Sequence, residues 1–422
     1  MDKNTYGEYL KILHSELIPA MGCTEPIAIA LTAAKAKEYI KEPVKEVLIC
    51  VSGNIIKNVK SVMVPNTGGL RGIEAAAAAG IVVGKADREL EVLAEVKESD
   101  FSKISDFLKE TEISVCEAQS ECILDIGITL KGENHTVYAR TAQHHTGLCL
   151  ITVDGETVFE RELEENAGDL DHSKLSIEGI IDFADNANLQ DVYEVLTRQI
   201  EYNTAIAEEG LTGKYGAAIG RTLLMSYGNT VHNRAKAWAA AGSDARMNGC
   251  ELPVVINSGS GNQGMTASLP VIVYARELGV SDETLLRALL VSNLTTIHLK
   301  TGIGCLSAYC GAISAGCGAG AGVMYLYGGK LDEIAHTVVN ALAINSGVVC
   351  DGAKASCAAK IASAVESGLL GMQMYMHGKE FYGGDGIVAG DVEATIRNVG
   401  RLAQSGMAET DREIIRIMMK KV

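Results

Sequence analysis

The residues best suited to chemistry are Cys23, in Gly22-Cys23-Thr24-Glu25-Pro26, and a later group of Cys305, Cys310, Cys317, Cys350 and Cys357 set among glycines. Eleven cysteines in a chain whose first residues carry no secretory pattern read as soft-metal or redox chemistry rather than a disulfide framework. No compact Cys-x-x-Cys pair is present, so spacing alone does not name a metal. Three readings of the residues therefore stand side by side: small buried cysteines, a zinc or reactive-thiol site, and an iron–sulfur cluster. In the last, three protein thiolates would leave one iron open as a Lewis acid.

Helix geometry narrows the ligand choice. Seven residues of unbroken helix would separate Cys350 from Cys357 by roughly 10 Å, too far for neighbouring corners of a compact cluster, unless Asp351-Gly352 breaks the helix. The same objection applies to Cys310 and Cys317, joined through the more continuously helical Ala312-Ile313-Ser314-Ala315. One ligand from each separated segment gives Cys23, Cys317 and Cys357, with Cys350 in reserve. Cys23 stands just before a helix that Pro26 can begin, where backbone amides favour a thiolate.

Other groups could serve a substrate. Lys354 lies between two cysteines, where it could act as a base, bind a carboxylate or face solvent. The loop Asn257 to Gly264 offers Asn257, Ser258, Ser260 and Asn262 around tight turns that expose backbone donors to an amino-acid carboxylate. Arg71, in Asn66-Thr67-Gly68-Gly69-Leu70-Arg71-Gly72, could clamp a carboxylate or simply close a surface turn. His144 and His145 sit near a strand end and read as surface or packing residues.

These residues must be positioned by an α+β fold: a largely helical catalytic domain with a smaller α/β module inserted after the N-terminal helices. Residues 1–43 read as helices that pack on the catalytic domain, with a break around Pro19 and Gly22–Pro26. Residues 44–160 read as the module, with strands at 47–51, 62–64, 90–96, 122–128 and 135–140. A helix is expected at 73–84, and a hairpin at 150–159 turning on Asp154-Gly155. Residues 161–174 form a charged connection, and 175–422 the mainly helical domain.

Net charge of -16, from 53 acidic against 37 basic residues, disfavours nucleic acid and anionic membranes as partners. The charge-free stretches 252–275 and 301–329 are long enough for a bilayer, but polar and small residues make them close-packed buried helices instead. A cytoplasmic setting follows, and homo-oligomer formation is left open.

Five segments carry a family resemblance: Gly22–Pro26, Ser243-Asp244-Ala245-Arg246-Met247, Asn257–Gly264, Gly316-Cys317-Gly318-Ala319-Gly320 and Cys350–Cys357. Across essentially its whole length the chain resembles the L-cysteine desulfidase family. Its later half is similar, more distantly, to the alpha region of iron–sulfur L-serine dehydratases. The first resemblance implies a [4Fe-4S] enzyme that converts L-cysteine to sulfide, ammonia and pyruvate without pyridoxal phosphate. It also implies ligands at Cys23, Cys317 and Cys357. The second suggests Cys317, Cys350 and Cys357 instead, which would leave Cys23 as an acid, base or sulfur carrier. β-Elimination of water from L-serine and a noncatalytic redox or sulfur-sensing role are the alternatives.

Overall fold

The computed structural model describes residues 1–22, 24–120, 122, 124–163, 170–304 and 307–419. In chain order the helices are α1 (Lys3–Glu16), α2 (Thr24–Tyr39), α3 (Gly53–Val59), α4 (Gly72–Val83), α5 (Glu98–Glu110), α6 (Ile177–Asn186), α7 (Tyr193–Leu211) and α8 (Ile219–Tyr227). They continue with α9 (Val231–Met247), α10 (Gly261–Leu278), α11 (Asp282–Ile303), α12 (Gly311–Leu326), α13 (Leu331–Ile344), α14 (Cys357–Met376), α15 (Val392–Arg401) and α16 (Ala408–Met419). Strands are β1 (Pro19–Met21), β2 (Glu46–Val51), β3 (Glu112–Glu117), β4 (Asp125–Lys131), β5 (Thr136–Ala142), β6 (Leu148–Val153), β7 (Glu156–Glu160) and β8 (Pro253–Val255). The fold is α+β, mostly helical, with a smaller sheet module.

The chain divides into two compact units. One comprises Gly22–Ala167, Asp351–Lys354 and Arg412–Val422. Its six-stranded sheet runs β3-β2-β4-β5-β6-β7, with β2 and β3 parallel and every other pair antiparallel. Alternation places Val47, Ile49 and Val51 of β2 on the buried face. α2 and α4 pack on one another through small residues: a Cβ at Gly80 would lie 2.1 Å from the Ala30 carbonyl oxygen, so only glycine permits this approach. The segment 24–39, expected to pack on the helical domain, therefore belongs with the sheet. Its apolar residues Ile27, Ile29 and Leu31 share one core with α4 and the strands.

Three local expectations change. Residues 62–64 make only a bridge from Met63 to Arg71. Residues 90–96 end a 3-10 helix, Ala86–Glu91, and continue as turns rather than a strand; Val92 and Leu93 are both buried, a pattern that an alternating strand cannot produce. β3, a half-exposed edge strand, carries too weak an apolar pattern to be read from sequence. Cys50 and Cys116, register partners on β2 and β3, are joined by a disulfide, so the expectation of cysteines without staples fails at this pair.

The other unit comprises Met1–Met21, Gly168–Cys350 and Ala355–Asp411. It holds α1 with α6 to α15 and the short antiparallel pair β1–β8. α12 is its central element, buried along almost its whole length, with α10, α11 and α14 around it. Glycines set the spacing: a Cβ at Gly316 would lie 2.2 Å from the Ala364 carbonyl oxygen, and one at Gly368 2.1 Å from that of Gly316. The stretch 252–275 becomes β8, a turn and most of α10, and the described part of 301–329 ends α11 and forms α12. Among the described residues no helix is long and apolar enough to cross a membrane.

Candidate functional site

Cys310 ends an extended segment and precedes α12. That segment pairs antiparallel with residues 348–350: Cys310 N–H donates to the Val348 carbonyl at 3.0 Å, Cys350 N–H donates to the Ala308 carbonyl at 2.6 Å, and Tyr309 faces Val349. The pairing brings the Cys310 and Cys350 thiols into hydrogen-bond contact, with Cys357 close enough to interact electrostatically. The Cys350 contact first, and burial second, push the Cys310 thiol well above the ordinary thiol range. Between Cys350 and Cys357 the chain is not helical, and Gly352 takes φ +93°.

Cys317 is different. It lies inside α12 with no exposed surface, and burial pushes its thiol up to about 12. The buried Tyr309 hydroxyl lies near both Cys317 and Cys310 and has no hydrogen-bond partner among the described residues. Cys23 lies outside the described residues. Among those described, no three Cys, His, Asp or Glu side chains close on a single metal ion.

A second group adjoins the thiols. Asn257 and Ser260 exchange backbone hydrogen bonds at 3.1 Å around a turn in which Ser258 and Gly259 take φ +49° and +76°. Asn257 itself is wholly buried and donates to the Asn293 carbonyl and side chain, so it holds the turn. Ser258 donates to Asn257 at 2.9 Å. Ser260 precedes α10 without making a side-chain cap. Asn262, in the first turn of α10, accepts from Arg246 at 3.5 Å. The next residue, Gln263, is buried and lies against Gly311, immediately after Cys310, where a Cβ would fall 2.8 Å from the amide.

Lys354 is committed locally: its amine pairs with Asp351 and donates to the Asp351 and Gly352 carbonyls at 3.1 and 3.2 Å. Arg71, in the sheet unit, precedes α4 and donates to the Ser61 carbonyl at 3.1 Å. His145, in the β5–β6 connection, is biased toward its neutral form by burial, with Glu25 opposing that shift.

The family model for the serine dehydratase alpha chain matches residues 87–416. The chain belongs to the serine dehydratase alpha chain family. It is 59% identical over 418 residues to a UPF0597 protein of Desulfitobacterium hafniense, covering 99% of this chain and 97% of that protein. A UPF0597 protein of Lachnoclostridium phytofermentans is 51% identical over 415 residues, covering 98% of this chain and all of the relative. One of Treponema denticola is 46% identical over 428 residues, covering all of this chain and 99% of the relative. Membership in the serine dehydratase alpha chain family points to a lyase-type enzyme.

For a member of this family the donor set suits an iron–sulfur cluster. The Cys310 and Cys350 thiols are in contact with Cys357 in electrostatic reach of Cys310, and thiols are the ligands such a cluster takes. Sequence reasoning named Cys310 in the cysteine group and quoted Arg246 and Gln263 within longer segments but gave them no site role, and it did not single out Tyr309. Extended pairing of 308–310 with 348–350 joins segments about forty residues apart, and no local pattern announces it.

Proposed function

We propose that this chain is an L-cysteine desulfidase, which eliminates the thiol of L-cysteine to yield sulfide, ammonia and pyruvate with a [4Fe-4S] cluster and without pyridoxal phosphate. The observation that supports this reading is the contact between the Cys310 and Cys350 thiols, with Cys357 in electrostatic reach of Cys310 and the buried Gln263 against Gly311. These three residues would hold the cluster. Cys317, enclosed within α12, would pack behind them, and Cys23 is left for acid, base or sulfur-carrier work. When bound, the cluster supplies a Lewis acid that stabilises negative charge on the departing heteroatom. Sulfur suits such a soft centre and is the better leaving group.

The protein's own contribution is binding and protonation. The turn at 257–260 orients the start of α10, where Asn262 accepts from Arg246 and Gln263 places its amide against Gly311, next to Cys310. Burial and the adjacent thiols keep the Tyr309 hydroxyl protonated, so it can donate at its oxygen. Elimination breaks the Cα–H and Cβ–S bonds, the α-proton passing to a base and the sulfur leaving as sulfide, and the aminoacrylate takes up water to give pyruvate and ammonia.

L-Serine dehydration is the second reading, favoured by membership in the serine dehydratase alpha chain family. Anaerobic reconstitution followed by parallel assays separates them. The expected result is about four iron and four labile sulfide per chain, with equimolar sulfide and pyruvate from cysteine and far slower turnover of serine. Serine turnover equal to or above that of cysteine would replace the proposal with dehydration. An intact cluster with turnover of neither would leave a redox or sensing role.

A further inference from the structure

Arg246 is a charged side chain only 8% exposed, and among the described residues its hydrogen bond is the 3.5 Å contact from Nη1 to the side-chain oxygen Oδ1 of Asn262. Its Nε has no partner among the described residues. A desolvated guanidinium is costly unless an anion pairs with it, and a chain with 53 acidic residues has many to offer. None is placed against Arg246 among the described residues. Gln263, one residue beyond Asn262, is likewise buried with its amide oxygen unpartnered.

Two glycines make room for these groups. A Cβ at Gly261 would lie 2.5 Å from Arg246 Nε, and one at Gly311 would lie 2.8 Å from the Gln263 amide. Arg246 thus lies along the first turn of α10, and Gln263 connects that turn to the residue after Cys310. The arrangement offers a planar fork of donors for a carboxylate and an unpartnered acceptor for an ammonium group. A buffer anion would need only the first.

The geometry points to Arg246 and Gln263 as the recognition site for the α-carboxylate and α-ammonium of a small zwitterionic amino acid, whose side chain then extends toward Cys310. This rests on the reading of the site as one that acts on an amino acid, but not on which heteroatom leaves. Arg246 binds the carboxylate through two parallel N–H donors. Gln263 accepts from the ammonium through its amide oxygen.

The test uses L-alanine, which has the carboxylate and ammonium but no leaving group, and L-alaninamide, which lacks the carboxylate. Equilibrium titration of the cluster-loaded enzyme should show alanine binding at least about 10-fold more tightly than alaninamide. R246Q should weaken alanine roughly 10- to 100-fold, leave alaninamide unchanged and retain the parent's iron content. R246K keeps the charge but loses the fork, and should fall between the two. It also carries the test should R246Q fail to fold. Equal binding of both ligands by the parent overturns the assignment. So does an equal loss of both, or of neither, in an iron-replete Arg246 variant. Because alanine is not turned over, a failed desulfidase assay with intact alanine discrimination refutes the proposed reaction and leaves the recognition site standing.

Discussion

Replacing Gly368 by alanine tests whether helix packing sets the geometry of the thiols. Alanine is the better helix former by about 1 kcal/mol, so propensity alone predicts stabilisation. Contact predicts the opposite. The added Cβ would sit 2.1 Å from the Gly316 carbonyl oxygen, and that atom belongs to the backbone of α12 and has no rotamer to change. Restoring an ordinary contact requires α12 and α14 to separate by about 1 Å, and such overpacking typically costs about 1–3 kcal/mol. The lost approach also weakens the neighbouring contact, where a Cβ at Gly320 would meet the Gly368 carbonyl oxygen at 2.5 Å. We expect a net loss of about 1–2 kcal/mol, read from the urea midpoint at unchanged slope. Since α12 follows Cys310 and α14 begins at Cys357, the same separation should lower iron occupancy after reconstitution. Gly7→Ala in α1, where a Cβ meets open space, is the control and should stabilise by up to about 1 kcal/mol. A Gly368→Ala protein as stable as its parent and fully loaded with iron would refute the argument.

Asp244 is wholly buried, and desolvation raises its carboxyl to about 6, above the ordinary 3.8. Folding therefore favours the protonated form: its stabilisation is complete below about pH 3.8 and is lost as pH rises through about 6, a swing of about 3 kcal/mol. Asp244→Asn, which keeps an acceptor for the Gly220 N–H, should become progressively more stable than the parent between pH 4 and 7; a gap independent of pH in urea titrations would contradict this. Serine replacement of Cys310, Cys350 or Cys357 should each reduce iron and labile sulfide, while Cys317→Ser should mainly lower stability and Cys23→Ser should keep the cluster. Loss of iron in Cys317→Ser with retention in Cys310→Ser would return Cys317 to the ligand set. Lys354→Ala should leave the pH profile of kcat unchanged, because Asp351 and two carbonyls already hold the amine; loss of the ascending low-pH limb would identify it as the base.

The sequence was most legible where one local pattern decides the structure. Alternation marked β2, β4 and β5, Asp154-Gly155 marked the β6–β7 hairpin, and an alanine run marked α4, because each periodicity lies within a few residues. The same locality failed at 90–96, where apolar residues alternate with acidic ones but adjacent Val92 and Leu93 both turn inward. Asp351-Gly352 announced a break between Cys350 and Cys357.

By itself, then, the sequence determined the α+β class, the helical character of the larger unit and the turn before α10. Only the tertiary structure decided which thiols meet. Choosing Cys317 over Cys310 from spacing treats residues 310–317 as one helix, whereas Cys310 lies just before α12 in an extended segment bonded to 348–350. Arg246 is equally unreadable from its neighbours on α9, since its meaning comes from burial without a counter-ion. Both facts depend on partners distant in sequence, and a contact between distant segments is selected by packing and desolvation rather than by any local preference of the chain.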